Sequence, residues 1–484
     1  MLGRMKMIDL ENIEPKEVFH WFHQLNQIPR CSGNEKEASD YLVNFAKERN
    51  LEVYQDEIYN VIIKKPASKG YEDSDPVIIQ GHMDMVCIKG KDSNHDFTKD
   101  PIEMIVEGDI MRANNTTLGG DDGIAVAYGM AILDSKDIKH PPLEVLITTN
   151  EETGMDGVHA LSNEHLSGKT LLNIDSEEEG IFLVSCAGGA NKITTFKLEK
   201  EKQRGSGLEI KISGLKGGHS GMEIIKQRAN AIKLLGRILV KCNYKTNIRL
   251  AKIQGGTKHN AIPSDAKAVV LAEDIDSVKK IVEDLTKDFK EEYGVEDKGL
   301  NIDLTEVKVE EIYSKELSDN LIDYIMMVPD GVQYMSKDIE GLVQTSLNNA
   351  IIEERDNRIE IIASVRSASS SSLREILNIL SVIAKRTGAK SEEKGAYPAW
   401  QFDKNSKIRE KAVRVYEELF NKKAEVSAIH AGLECGLLKE ILPDTDMISF
   451  GPNLYDVHTE KEHLSISSVQ RVWGFLIKLL EDLK

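Results

Sequence analysis

Val77-Ile78-Ile79-Gln80-Gly81-His82-Met83-Asp84 is a short apolar run that stops at a glycine and opens at once into a histidine and an aspartate. Read as a buried strand running out into a polar loop, it sets a pattern that returns along the chain. Residues 143–147 run into Thr148-Thr149-Asn150-Glu151-Glu152-Thr153-Gly154, and residues 171–174 run into Asp175-Ser176. Residues 447–450 precede Tyr455-Asp456-Val457-His458-Thr459. Apolar runs of this length without alternation suit parallel strands covered on both faces. Helical stretches such as 124–133 lie between them, and this alternation is the α/β pattern. Polar residues just past the carboxyl ends of such strands lie where open parallel sheets bind ligands.

The chain has 484 residues, more than one hydrophobic core usually holds, so two domains are expected. Its net charge of -18 argues against a nucleic-acid partner and against docking on an anionic membrane, both of which need basic surface. Residues 1–10 contain Arg4 and Lys6, but no apolar segment follows, and no apolar run is long enough to span a bilayer. Neither a leader nor a membrane span is expected. The five cysteines (Cys31, Cys87, Cys186, Cys242 and Cys435) are odd in number and show no C-x-x-C spacing. Isolated reduced thiols and a cytoplasmic location are the expectation.

The middle of the chain reads differently. Strands are expected at 193–198 and 208–212, a helix at 224–240, strands at 248–254 and 266–272, and a helix at 278–289. In that last helix Val278, Ile281, Val282, Leu285 and Phe289 share one face. From about 300 to 388 the order recurs: a strand, a helix at 317–327, strands at 342–352 and 359–365 around a turn at Asp356-Asn357, and a helix at 373–386. The pattern β-α-β-β-α is counted twice, the second from the strand near 300. The expected architecture is an α/β domain with a mostly parallel sheet, in two segments (1–186 and 395–484), around an inserted, doubled α+β domain (187–394).

The polar clusters carry the chemistry. His82 and Asp84, two apart on a strand, face the same way, so the carboxylate can hold the imidazole as it does for metal-ligating histidines. Alone, H-x-D also describes a surface histidine beside an aspartate. In Thr117-Leu118-Gly119-Gly120-Asp121-Asp122-Gly123 one aspartate suffices to cap the following helix, leaving the other for a second task. Glu151 and Glu152 repel each other unless cations or separate roles accommodate them. One can bind metal while its neighbour handles a proton. Imidazole with carboxylate suits Zn²⁺, Mn²⁺ or Co²⁺, and the absence of cysteine from these clusters argues against a structural zinc site. Two cations sharing a carboxylate can hold a water and lower its pKa toward neutrality.

GHMDMV (81–86), TTLGGDDG (116–123), TTNEETGMDG (148–157), NIDSEE (173–178) and YDVHTEKEHL (455–464) together resemble the motif series of the M20 family of metallopeptidases. Within it the likeness is greatest to the aminoacyl-histidine, or cytosolic non-specific, dipeptidases. It extends to IPRCSGNEKEA (28–38), GGHSGMEIIKQRANA (217–231) and GGTKHNAIPSDA (255–266). The resemblance implies His82 and Asp175 on one metal, Glu152 and His458 on the other, and Asp121 between them, with the Asp121-Asp122 peptide in the cis form. Zn²⁺ is the first expectation for both metals. It further implies Asp84 orienting His82 and Glu151 as general base. The middle domain would be a lid carrying His219 for the oxyanion and Asn260 and Arg366 for the substrate. The loop His430-Ala431-Gly432-Leu433-Glu434-Cys435-Gly436 would bring Gly432 close to the substrate and Glu434 to its amine. Asp122 stands where many relatives carry asparagine and is expected to cap the helix at Ile124. The implied activity is hydrolysis of dipeptides, Xaa-His and broader, with a small peptide as partner; a homodimer is compatible with it. A tripeptidase or an N-acyl amino acid deacylase would use the same ligands, and an inactive metal-binding protein would usually lack one of them.

Overall fold

The computed structural model describes residues 13–484; residues 1–10, read above for a leader, lie outside the described residues. The chain divides into two compact units. The first holds residues up to Val184 with Phe402–Ala428 and Leu437–Lys484; the second holds Ser185–Gln401 with Ile429–Gly436. Residues 395–401 and 429–436, drawn above with the outer domain, stay with the second unit.

The first unit is built on an eight-stranded sheet. Its centre is parallel: Leu143–Thr148, Val77–His82, Thr170–Asn173 and Asp446–Ser449 lie side by side in that order. These are the four apolar runs of the sequence. Every residue of Val77–His82 and Leu143–Thr148 is buried, which is why neither run alternates. Antiparallel strands flank this centre, Glu52–Gln55 and Val61–Lys65 on one side and Ile181–Cys186 on the other. The helix Gly120–Asp134 is buried almost throughout; Tyr128 Oη donates to the Val469 carbonyl at 2.9 Å, tying it to the helix Ile466–Asp482. A four-stranded sheet places Leu454–Tyr455 against His463–Ser465, so the loop between them, which carries His458, is the tip of a hairpin.

Two expectations are corrected here. Cys31 and Cys87 form a disulfide with a Cα–Cα distance of 5.7 Å, because an isolated parallel bridge between Cys31 and Met85 sets the two segments side by side. Spacing along the chain carries no signal for such a pairing. The other three cysteines are buried. Asp122 does not cap its helix; its carboxylate Oδ2 turns to the neighbouring strand and accepts the His82 N–H at 3.3 Å. Among the described residues no helix is long and apolar enough to cross a membrane.

The second unit is a nine-stranded antiparallel sheet. Its order is Asn301–Tyr313, Lys200–Ser213, Ala266–Leu271, Arg249–Gly255, Val343–Arg355, Arg358–Ser367, Gly188–Lys197 and Lys390–Tyr397, with Gly331–Met335 pairing Val343–Arg355. The doubling is visible in this order, but its parts differ from the sequence count. The strand Asn301–Tyr313 does not begin the second half; it pairs Lys200–Ser213 and closes the edge of the first. The first strand of the second half is Gly188–Lys197, which pairs Arg358–Ser367. Each half is therefore β-α-β-β-α-β, and the first is inserted after the opening strand of the second. Adjacency in sequence suggested the wrong partner because strand pairing is set across the sheet. The halves meet where Gly255 pairs Ile352.

The expected helix at 224–240 also starts later. Gln227 holds a positive φ of 50°, and the helix is Ala231–Thr246, capped by the Asn230 side chain, which accepts the N–H groups of Ile232 and Lys233. Val278, Val282, Leu285 and Phe289 are buried along one face of Ile275–Tyr293, as their spacing requires.

Candidate active site

Five segments of the first unit bring their polar residues together around the carboxyl ends of the central strands. The centre is Asp121, whose two carboxylate oxygens face two different histidines: Oδ1 is 3.2 Å from His82 Nε2 and Oδ2 is 3.1 Å from His458 Nε2. Each histidine has a second carboxylate of its own. Asp175 Oδ1 lies 3.6 Å from His82 Nε2, and Glu152 Oε1 lies 2.8 Å from His458 Nε2. Two groups of three result, His82-Asp121-Asp175 and Asp121-Glu152-His458, each with its ligand-type atoms within 4.8 Å of one another. Glu151 falls in a further such group with His82 and Glu152.

The backbone around these residues is specialised. The Asp121-Asp122 peptide is cis. Asn150, ahead of the two glutamates, and His458 itself hold positive φ values of 55° and 60°, a region that asparagine enters readily and histidine less often. Asp84, completely buried, serves several partners at once. Its Oδ1 lies 3.4 Å from His82 Nδ1 and accepts the Glu151 N–H at 3.1 Å. Its Oδ2 accepts the Ser32 hydroxyl at 2.7 Å and the Glu152 N–H at 3.3 Å. His82 Nδ1 also lies 3.1 Å from the Asp84 carbonyl. With Nδ1 engaged in this way, Nε2 is left to face Asp121 and Asp175.

The electrostatics follow from crowding anions around two imidazoles. Burial works against charge on His82, but Asp121, Asp175 and Asp84 outweigh it and hold the imidazole well above its ordinary range. His458 is pushed up to about 11 by its contacts with Asp121 and Glu152. Burial opposes charge on Asp121 too, yet His458 and His82 keep its carboxyl below the usual range. Glu152 and Asp175 are raised, first by burial and further by the charge of Asp121. An acidic cup that protonates both of its histidines is one that a divalent cation would fit, the cation displacing those protons and compensating the carboxylates. The donors, imidazole nitrogen and carboxylate oxygen, suit Zn²⁺, Mn²⁺ or Co²⁺.

His219, Asn260, Arg366, Gly432 and Glu434 all belong to the second unit. Its two-residue strand Gly218–His219 pairs Ala261–Ile262, and the Ser220 N–H donates to the Asn260 carbonyl at 2.9 Å, so His219 and Asn260 lie on adjoining segments. His219 Nδ1 accepts the N–H groups of Met222 at 3.1 Å and Gly221 at 3.3 Å. A backbone amide can only donate, so Nδ1 is unprotonated and the ring carries its proton on Nε2. Burial and then the charge of Arg366 lower the pKa of this ring, which keeps it neutral. Arg366 Nη1 donates to Tyr397 Oη at 2.9 Å. In the loop after Glu425–Ile429, His430 Nε2 lies 2.7 Å from Ser346 Oγ, and Gly432 is half-buried. Glu434 is fully buried at the start of the helix Glu434–Ile441.

Sequence reasoning gave no role to Arg30, Ser32 or Glu462. Ser32 is bonded to Asp84, and Arg30 and Glu462 bond to the backbone of the ligand-bearing loops. Arg30 and Ser32 lie in IPRCSGNEKEA and Glu462 in YDVHTEKEHL. Their placement inside those segments was the available signal.

The chain is 39% identical over 483 residues to the cytosol non-specific dipeptidase of Escherichia coli (strain K12), covering 99% of both chains. Its fold matches the crystal structure of aminoacylhistidine dipeptidase from Vibrio alginolyticus with a TM-score of 0.93, at 37% identity and covering 98% of each chain. The aminopeptidase PepT from Bacillus cereus ATCC 10987 shares the fold at a TM-score of 0.56, with 15% identity over 97% of this chain and 99% of that one. Residues 78–482 match the family model described as Peptidase family M20/M25/M40. The chain belongs to peptidase family M20/M25/M40.

Proposed function

We propose that this chain is a cytoplasmic dipeptidase that uses two divalent cations, Zn²⁺ first among them, to hydrolyse the peptide bond of Xaa-His and other dipeptides. The observation that carries the reading is Asp121, whose two oxygens face two histidines, each with its own second carboxylate. His82 and Asp175 would hold one cation, Glu152 and His458 the other, and Asp121 both. Bound there, the cations would supply Lewis-acid polarisation of the scissile carbonyl and acidification of water. Two relatives matched over nearly their whole length, both dipeptidases, support the choice of substrate.

The protein's own residues do the rest. Glu151 takes a proton from the attacking water and delivers it to the nitrogen of the leaving amine. Asp84 holds the Glu151 amide and the His82 ring, so it fixes a base and a ligand together. His219 offers Nε2–H to the carbonyl oxygen as negative charge develops on it, a use that its neutral state and fixed tautomer allow. Arg366 is the candidate partner for the substrate carboxylate, with Asn260 and the backbone at Gly432 completing the grip.

A panel of dipeptides, tripeptides and N-acetylated dipeptides, assayed by mass spectrometry with Zn²⁺, Mn²⁺ and Co²⁺ in turn, tests the reading. Dipeptides should be cleaved with kcat/KM well above both other classes. Equal rates on N-acetylated substrates would favour a deacylase, and equal rates on tripeptides a tripeptidase.

A further inference from the structure

The ligand-bearing loops are held by two buried charges that touch no ligand side chain. Glu462 is 3% exposed, and its carboxylate accepts four consecutive backbone N–H groups. Oε2 takes Leu118 at 2.7 Å and Gly119 at 3.0 Å, while Oε1 takes Gly120 at 2.7 Å and Asp121 at 3.4 Å. Arg30, 1% exposed, faces the same loop from the other side. Its Nη2 donates to the Gly119 carbonyl at 2.7 Å and to Asn26 Oδ1 at 2.9 Å, and its Nη1 donates to the Met83 carbonyl at 3.0 Å.

Glycine in this loop is what lets Arg30 approach. A Cβ at Gly119 would fall 2.4 Å from Arg30 Nη2, and Gly119 has a φ of 70°; a Cβ at Gly120 would fall 3.3 Å from Glu462 Oε1. Gly119 thus makes room for Arg30, while Gly120 lies close against both Leu454 and Glu462. Glu462 also sits on the hairpin whose tip carries His458, and its own N–H donates to the Thr459 carbonyl at 3.1 Å. Arg30 therefore joins the Asp121 loop to the His82 segment, and Glu462 joins it to the His458 segment. An anion with four N–H donors and a cation with carbonyl acceptors are thus held through the backbone between them, with Arg30 Nε left without a partner.

We infer that Glu462 and Arg30 are positioning residues that set the span of the Asp121 carboxylate between His82 and His458, and hence the affinity for the paired cations. This rests on the reading of Asp121 as the shared ligand. Glu462→Gln keeps the shape, removes the charge and turns an amide NH₂ toward backbone N–H groups. It should fold, as circular dichroism of the metal-free protein would show, yet bind Zn²⁺ at least tenfold more weakly in competition with a chromophoric chelator. The visible spectrum of the Co²⁺-loaded variant should shift, since the ligand geometry changes. Glu462→Asp, which keeps the charge, should recover part of the affinity. Arg30→Lys, which loses the planar fork, should weaken Zn²⁺ as Glu462→Gln does. If Glu462→Gln does not fold, Glu462→Asp and Arg30→Lys carry the measurement. Zn²⁺ affinity within threefold of the parent and an unchanged Co²⁺ spectrum, whatever happens to metal-free stability, would reduce the pair to ordinary scaffolding and overturn the inference. Asp121→Asn is the separate control: if it keeps both cations at parental affinity, the shared-ligand reading fails on its own account.

Discussion

The Asp84 carboxylate accepts the backbone N–H of Glu151 at 3.1 Å, so the residue beside one histidine also fixes the start of the neighbouring acidic turn. Asp84→Asn would keep the shape but place an NH₂ where an acceptor for Ser32, Glu151 or Glu152 now stands. Zn²⁺ affinity should fall by about 10- to 100-fold, as for other groups that orient metal-bound histidines. Competitive chelation reads this directly, and an unchanged affinity would mean that the His82 ring is held by the Asp84 carbonyl alone.

Glu151→Gln separates the general base from the ligands. The variant should fold, retain two cations by elemental analysis and lose about 10²- to 10⁴-fold in kcat with little change in KM. Loss of metal instead would make Glu151 a ligand, in keeping with its proximity to His82 and Glu152. Near-normal turnover would require another base.

His219→Ala removes the Nε2–H donor and leaves every proposed metal ligand in the sequence. A drop in kcat of roughly a hundredfold is expected, with metal content unchanged. Turnover equal to that of the parent would leave His219 as a turn residue held by its two amide contacts.

Asp330, in the second unit, supplies a dependence on pH. Burial pushes its carboxyl up to about 6, against the hydrogen bonds from Asn349 and Asn230 and the nearby Lys233. The folded value exceeds that of an unfolded aspartate, near 3.9. Its stabilising contribution is thus complete below about pH 4 and is lost as pH rises through 6. That difference corresponds to about 3 kcal/mol at most. Asp330→Asn keeps the oxygen that Asn349 and Asn230 donate to and removes the ionisation. By urea unfolding, the variant should gain on the parent between pH 4.5 and pH 8. Parallel stability curves would show that Asp330 does not titrate in this interval.

The sequence was most legible where burial on both faces left an unbroken apolar run. The strands through Ile79, Val145, Leu172 and Ile448 form the parallel centre, and the polar residues after them form the candidate site. It was least legible where backbone groups are the partners. Nothing about Glu462 as a residue type says that four N–H groups surround it, and nothing about Asp122 says that it faces a strand amide rather than its own helix. The late start of the helix at Ala231 was signalled by Asn230, a residue that favours caps, ahead of an apolar periodic run.

The nested order of the second unit has a consequence for synthesis. As the chain emerges from the ribosome, Lys200–Ser213 through Asn301–Tyr313 form a contiguous half whose strands can pair as they appear. Gly188–Lys197, made earlier, must wait through all of it for Arg358–Ser367. The same delay recurs one level up, where Thr170–Asn173 waits through the whole second unit for Asp446–Ser449. The last strand of the eight-stranded sheet to be made is thus one that its parallel centre cannot do without, and contacts so distant in sequence are slow to close. A chain cut short before residue 446 would carry four of the five proposed metal ligands on a sheet still open along the strand that should adjoin Thr170–Asn173.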